Sequence, residues 1–156
     1  MPSDNENIPA VIGRRVRELR EEIDKTQAEL AATLGLHRTR VVKTERGTLN
    51  LSLDTLERFS DALSVDVFSL FQDRTVMAIR GSSSVRARVS ANIQALRNGK
   101  GWSQEALSEN AHLSRTFVSL LEIQKKNSDI FHLEKLADAL EVPVANLFAP
   151  PGTTGV

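Results

Sequence analysis

Apolar side chains fall at Ile12, Val16, Leu19 and Ile23 with three to four residues between them, the spacing of one buried helical face. Pro9 suits the first turn of that helix, and the stripe ends near Asp24. Thr26 followed by Glu29 forms a capping-box pattern that opens a second helix, and Gly35 ends it after Leu34. A third helix is predicted from Arg38 to Arg46, stopped by Gly47; Asp54 is placed to cap a fourth through Leu63, and Asp66 a short fifth through Phe71. No segment shows the alternation of a strand, so the predicted class is all-α.

The same pattern then returns. Residues 12–71 align with residues 89–148 at a constant offset of 77 without a gap, and nineteen of the sixty positions are identical. Many matches are apolar and suit a shared core: Leu30/Leu107, Val41/Val118, Leu56/Leu133, Leu63/Leu140, Leu70/Leu147 and Phe71/Phe148. Others are polar and are not demanded by packing: Arg20/Arg97, Gln27/Gln104, Arg38/Arg115, Thr39/Thr116, Glu45/Glu122 and Asn50/Asn127. In the second copy Ser84 or a neighbour opens the first helix, Ser103 caps the second, Arg115 to Ile123 forms the third, and Pro143 starts the last. The chain therefore divides into a first domain over 8–74, a linker over 75–84 and a second domain over 85–150. A unit of this size buries only about 60% of its unfolded surface, so each core must be well packed. Within the linker Gly81-Ser-Ser-Ser84 is flexible in composition, whereas Val76-Met-Ala-Ile79 either packs on its own domain or makes a small dimer contact.

Composition narrows the class. With 40% hydrophobic and 26% charged residues and no apolar run near the roughly 20 that a membrane span needs, the chain reads as a soluble cytoplasmic protein with no membrane partner. The segment Met1 to Asn7 is polar and acidic where a secretory signal would be basic and then apolar. Absence of cysteine excludes disulfides, thiolate metal sites and cysteine nucleophiles. His37, His112 and His132 are isolated, so no metal site is expected, and the sequence shows no glycine-rich phosphate loop, paired catalytic acids or nucleophile elbow. No enzyme activity and no cofactor are expected. Net charge is zero, so affinity for a polyanion must come from local placement of cations.

That placement is found on the third helix. A second helix, a turn of three to four residues and a third helix make a helix-turn-helix, which lays its last helix in the major groove of DNA. In Arg38-Thr-Arg-Val-Val-Lys-Thr-Glu-Arg46, Val41 is the inward anchor while Arg38, Thr39, Val42 and Lys43 face outward. Arg and Lys can donate to guanine O6 and N7, and Thr can meet a polar edge or a thymine methyl. His37, Arg40 and Arg46 complete the candidate DNA contacts of the first repeat. Gln27 and Gln104, in the first turn of their helices, are placed to hold a phosphate oxygen. Arg20/Glu45 and Arg97/Glu122 read as internal pairs tying the first helix to the end of the third.

These residues resemble the phage lambda repressor and Cro-like helix-turn-helix superfamily, also called XRE. The resemblance lies in Thr26-Gln-Ala-Glu-Leu-Ala31, Leu34-Gly-Leu36, Arg38-Thr39 and Glu45-Arg-Gly47, then in Ser103-Gln-Glu-Ala-Leu107, Leu113-Ser-Arg-Thr-Phe-Val-Ser119 and Glu122, and covers about four fifths of the chain. It implies two lambda-repressor-like five-helix domains in tandem, sequence-specific binding of double-stranded operator DNA by two domains related by a two-fold axis, and regulation of transcription, as a repressor where binding occludes a promoter or as an activator where it contacts polymerase.

The second repeat departs from that pattern. Glu122-Ile-Gln124 stands in place of Glu45-Arg-Gly47, and Phe117 and Leu120 replace Arg40 and Lys43. Two readings stay open. The second domain binds DNA through Gln104, Ser114, Arg115, Thr116, Phe117 and Ser119, with Lys125 and Lys126 on phosphates, or it is a protein-contact module of an antitoxin-like or anti-activator regulator that captures its partner on Phe117, Leu120 and Ile123. Homodimerisation and contact with RNA polymerase belong to the same set of expected partners. Thirteen residues separate Phe71 from Val85 and span up to roughly 45 Å, more than the roughly 34 to 36 Å between half-sites one turn apart. One chain could therefore act as a pseudo-dimer on two unlike half-sites, or two chains could pair and offer four readers.

Overall fold

The computed structural model describes residues 6–79 and 81–153. Residues 1–5 (the greater part of the polar and acidic Met1 to Asn7 segment), Arg80 of the connector and residues 154–156 lie outside the described residues. Among those described, the chain forms eight α-helices and two short 3-10 helices and divides into two units: 1–51 with 55–82, and 52–54 with 83–156.

In the first unit α1 (Ile8–Glu22) is opened by Asn7, whose side chain accepts from the Ala10 amide at 2.9 Å, with Pro9 in the first turn where a missing N–H costs nothing. It buries Val11, Ile12, Val16 and Leu19. Ile23, expected to extend that stripe, has left the helix as its C-cap and is 43% exposed. Helix α2 (Gln27–Leu34) carries the predicted capping box. The Glu29 amide donates to the Thr26 hydroxyl at 3.1 Å, and the Thr26 amide donates to the Glu29 carboxylate at 2.7 Å, which holds that carboxyl below its ordinary range. Gly35 ends the helix in the left-handed region at φ 64°.

Helix α3 (Arg38–Glu45) follows, with Arg46 as its C-cap and Gly47 left-handed at φ 70°. A Cβ on Gly47 would meet the Ala10 backbone at 2.7 Å, so both conformation and space require glycine there. Helix α4 (Leu53–Ala62) begins one residue ahead of Asp54, placing that carboxylate in the first turn and not at the cap. The fifth element is a 3-10 helix (Val67–Leu70), capped as predicted by Asp66, which accepts from the Phe68 amide at 2.9 Å.

The second unit repeats the order: α5 (Val85–Gly99) capped by Ser84, α6 (Gln104–Asn110) capped by Ser103, α7 (Phe117–Glu122), α8 (Ile130–Leu140) capped by Asp129, and a 3-10 helix (Val144–Phe148) preceded by Pro143. Helix α7 is shorter than predicted. Ser114 to Phe117 form a turn, with the Phe117 amide donating to the Ser114 carbonyl, so Arg115 and Thr116 stand ahead of the helix.

Burial explains the apolar half of the repeat. Leu30/Leu107, Val41/Val118, Leu56/Leu133, Leu63/Leu140, Leu70/Leu147 and Phe71/Phe148 are buried in both units. Leu19 is buried while its partner Leu96 is half-exposed. The Val76 stretch packs against its own unit: the Asp66 amide donates to the Val76 carbonyl, the Val76 amide donates to the Ser69 hydroxyl at 2.7 Å, and Val65 bridges to Met77. The extensible part of the connector is therefore shorter than thirteen residues. Met77 and Ile79 nevertheless remain 67% and 69% exposed. No helix among the described residues is long and apolar enough to cross a membrane.

Candidate nucleic-acid interface

Helix α3, the candidate DNA-contacting helix of the first unit, is held from behind. Val41 is fully buried, and the Thr44 hydroxyl, also buried, donates to the Arg40 carbonyl one turn earlier at 2.8 Å, which leaves the opposite face to solvent. Arg38, Thr39, Arg40, Lys43 and Arg46 are exposed and Val42 is half-buried; His37, at the N-cap, is exposed and makes no side-chain capping bond.

A polar relay fixes this helix to its neighbours. Arg20 on α1 donates through Nε to Glu45 Oε1 at 2.5 Å and through Nη2 to Oε2 at 3.2 Å, while its Nη1 donates to the Lys25 carbonyl at 2.7 Å. Gln27 Nε2 donates to the same Glu45 Oε2 at 2.8 Å, and Arg38 Nη2 donates to Gln27 Oε1 at 3.2 Å. The Arg20 and Glu45 side chains are 10% and 5% exposed, and the hydrogen bond to Glu45 raises the Arg20 pKa. The paired reading of Arg20 and Glu45 thus becomes a four-membered chain ending on Arg38. Around it lies a pocket of about 390 Å³ lined by Arg17, Arg20, Gln27, Arg38, Val42, Glu45 and Arg46. Its four guanidiniums face the Glu45 carboxylate and that of Glu21, which lies 3.0 Å from Arg17 and 3.8 Å from Arg20, so positive charge stays in excess and suits an anion. Arg17 was not singled out from sequence, although its i, i+3 spacing to Arg20 on α1 places both on one face.

The second unit reproduces the relay. Arg97 donates to Glu122 at 2.7 and 3.1 Å and to the Trp102 carbonyl at 2.7 Å, and Gln104 Nε2 donates to Glu122 Oε2 at 2.6 Å. Its last link differs. Arg115 is bound to Glu105 on α6 at 3.0 Å, both side chains being well exposed at 79% and 62%. Ser114 and Thr116 are exposed and Ser119 is half-buried, with its hydroxyl donating to the Thr116 carbonyl at 2.8 Å.

Phe117, expected on the outward face, is instead 3% exposed, with its ring stacked on His132 at 5.2 Å and Lys126 Nζ 4.6 Å above it. That contact draws Lys126 over the ring, whereas Lys125 is exposed. Leu120 and Ile123 stay outward, at 38% and 57% exposure. Among the described residues no group of three or more His, Asp or Glu side chains is placed to hold a metal ion.

The helix-turn-helix family profile matches residues 16–70 and again 93–147. The chain is similar to a hypothetical transcription factor of Neisseria meningitidis serogroup B, 40% identical over 67 residues that make up 43% of this chain and 63% of that protein. It is also similar to control protein C.BamHI of Bacillus amyloliquefaciens, 39% identical over 71 residues, 45% of this chain and 88% of that one. Among solved structures, the restriction-modification controller protein C.AhdI from Aeromonas hydrophila aligns with a TM-score of 0.41 at 30% identity, over 42% of this chain and all of that chain. The chain thus spans less than two thirds of the length of the Neisseria relative. Because the two profile matches together take in more than half of its residues, the chain belongs to the helix-turn-helix family, of the XRE type, and carries the family's unit twice.

Proposed function

We propose that this protein is a sequence-specific regulator of transcription that binds double-stranded operator DNA with two readers in one chain, joined through residues 75–84. The observation that carries this reading is the relay Arg20–Glu45–Gln27–Arg38, which fixes the outward arginine of α3 beside an electropositive pocket. An arginine pre-positioned by a side-chain hydrogen bond loses less freedom on meeting a guanine edge.

In the first unit Arg38, Thr39 and Lys43 read base edges, with His37, Arg40, Val42 and Arg46 at the margins of the contact. Gln27 holds a phosphate: its amide nitrogen carries two hydrogens, one engaged by Glu45 and the other available. Gln104 does the same in the second unit through its matching bond to Glu122, where Arg115, Thr116, Ser114 and Ser119 approach the bases and Lys125 and Lys126 the backbone. Phe117 supports that surface from beneath. Binding over a promoter represses by occlusion. Pairing of two chains, contact with RNA polymerase and a cytoplasmic location follow from the same reading, and no enzymatic step is part of it. The names of the relatives, a transcription factor and a control protein, point the same way.

The test is selection of bound sequences from a random double-stranded DNA pool by the full chain and by an Arg38→Ala, Lys43→Ala variant. Recovery of a two-part motif, one part lost in the variant, is expected. Arg38→Ala alone costs about 1 to 3 kcal/mol and relaxes preference at one base position. Recovery of no motif at moderate salt overturns the proposal.

A further inference from the structure

The outward stripe of the reading helix is built from different chemistry in the two units. In the first unit the exposed positions one turn apart are Thr39 and Lys43 on α3 and Arg46 at its C-cap; the matching positions of the second unit are Thr116 just ahead of α7, Leu120 within it and Ile123 at its C-cap. Both stripes lie opposite a buried anchor, Val41 in one and Val118 in the other. Two cations of the first unit are thus replaced by two branched aliphatic side chains that the fold leaves in solvent. Packing does not account for them, because the inward positions of α7 are already filled by Phe117, Val118 and Leu121.

The surroundings indicate what they meet. In sequence Arg115, ion-paired to Glu105, precedes the pair and Lys125 follows it, both exposed, and Ser119 next to Leu120 is half-exposed. An apolar strip flanked by cations and hydroxyls fits a polyanion that itself presents apolar groups. In the major groove of DNA that group is the 5-methyl of thymine; guanine, cytosine and adenine offer only donors and acceptors there. An aliphatic side chain at the register of Lys43 cannot engage guanine O6 or N7.

We infer that the second unit selects thymine, through contact of Leu120 and Ile123 with 5-methyl groups in the major groove, where the first unit presents cations suited to guanine. This rests on the DNA reading proposed above and makes the two half-sites chemically unlike: guanine-bearing under α3 and thymine-bearing under α7. It also gives the change from Lys43 to Leu120 a purpose within one function, without a second partner.

The experiment uses the full chain and the duplex recovered by selection, with each thymine of the second half-site replaced in turn by deoxyuridine, which lacks only the methyl. Loss of one buried methyl contact weakens binding by about three- to five-fold at one or two of these positions. Leu120→Ala binds thymine and uracil duplexes equally at that position, and Leu120→Lys shifts the selected base there toward guanine. Both changes fall on a side chain that is already 38% exposed, and circular dichroism checks that the helices persist. Equal affinity for every uracil duplex overturns the inference, as does selection that returns only the half-site of the first unit. Self-association that disappears in Leu120→Lys while uracil has no effect also overturns it and assigns the strip to a protein contact. In each of those cases the chain still binds DNA through α3. A chain that recovers no motif at all instead removes the DNA reading, and this inference falls with it.

Discussion

Each unit turns its backbone left-handed at four matching positions: Asp24, Gly35, Gly47 and Ser64 in the first, Gly101, His112, Gln124 and Glu141 in the second. Glycine occupies two of the four in one unit and a different one in the other. A non-glycine residue in this region costs roughly 1 to 2 kcal/mol, so the conformation is imposed by the packing of the helices on either side and not by the local residue. The polar relay behaves in the opposite way. Arg20, Gln27 and Glu45 recur as Arg97, Gln104 and Glu122 with the same donors, acceptors and nearly the same distances. Backbone turns tolerate replacement because several residues can be forced into them. A bidentate arginine bridged by an amide to the same carboxylate has no substitute side-chain set with that geometry.

The largest expected effect tests whether the relay is one device used twice. Glu45 and Glu122 are 5% and 4% exposed at the side chain, so Glu45→Ala and Glu122→Ala each strand a nearly buried guanidinium. Each change is expected to cost about 3 to 5 kcal/mol. Denaturant unfolding followed by Trp102 fluorescence reports the second unit, and amide exchange of α1 reports the first. A cost below about 1 kcal/mol in one unit only would show that its relay has become dispensable and would break the comparison.

The contact between the first and third helices of each unit is the next in size. Gly13 lets α1 approach so closely that an added Cβ would stand 2.4 Å from the Thr44 carbonyl oxygen and 2.7 Å from that of Glu45. The matching residue Ser90 instead donates its hydroxyl to the Glu122 carbonyl at 2.5 Å. Gly13→Ala forces a backbone shift and is expected at or above the upper end of the roughly 1 to 3 kcal/mol of overpacking. Ser90→Ala loses one hydrogen bond, about 0.5 to 1.5 kcal/mol. A loss for Gly13→Ala no larger than that for Ser90→Ala in thermal unfolding would mean that α1 moves away from α3 at little cost.

Sequence made visible whatever depends on near neighbours or on repetition. The Thr26/Glu29 capping box, the Asp66 and Ser103 caps and the Gly35 stop involve partners within a few residues, so spacing alone places them. The Arg20/Glu45 pair is 25 residues apart and became legible only because Arg97 and Glu122 repeat it. What stayed hidden lacked both aids. Burial of Phe117 depends on His132 and Lys126, brought to it by α8 and the loop before it. The membership of Arg17 in the pocket depends on where α1 crosses α3, and no counterpart marks it, since its matching residue is Gln94. The shortness of α7 follows from a turn at Ser114 with no capping side chain to announce it.

The smallest expected effect concerns the last link of the relay. Arg38 is held by the neutral amide of Gln27 at 3.2 Å, whereas Arg115 is held by the carboxylate of Glu105 at 3.0 Å; the first unit has Ala28 where Glu105 stands. If Arg115 engages DNA, it must first leave a negative charge that competes with the phosphates. An exposed pair of this kind is worth about 0.2 to 1 kcal/mol, so Glu105→Ala is expected to tighten binding of the selected duplex by up to about five-fold at low salt. The gain should fade as salt rises, because the screening length falls from about 30 Å at 0.01 M to about 10 Å at 0.1 M. It should also vanish in an Arg115→Ala background, and Ala28→Glu should weaken the first unit in the same measure. Titrations of the four chains against one duplex separate the two causes. A gain that persists without Arg115 would make Glu105 a general repulsion of the backbone, whereas a gain that needs Arg115 identifies the ion pair as what sets the second reader below the first.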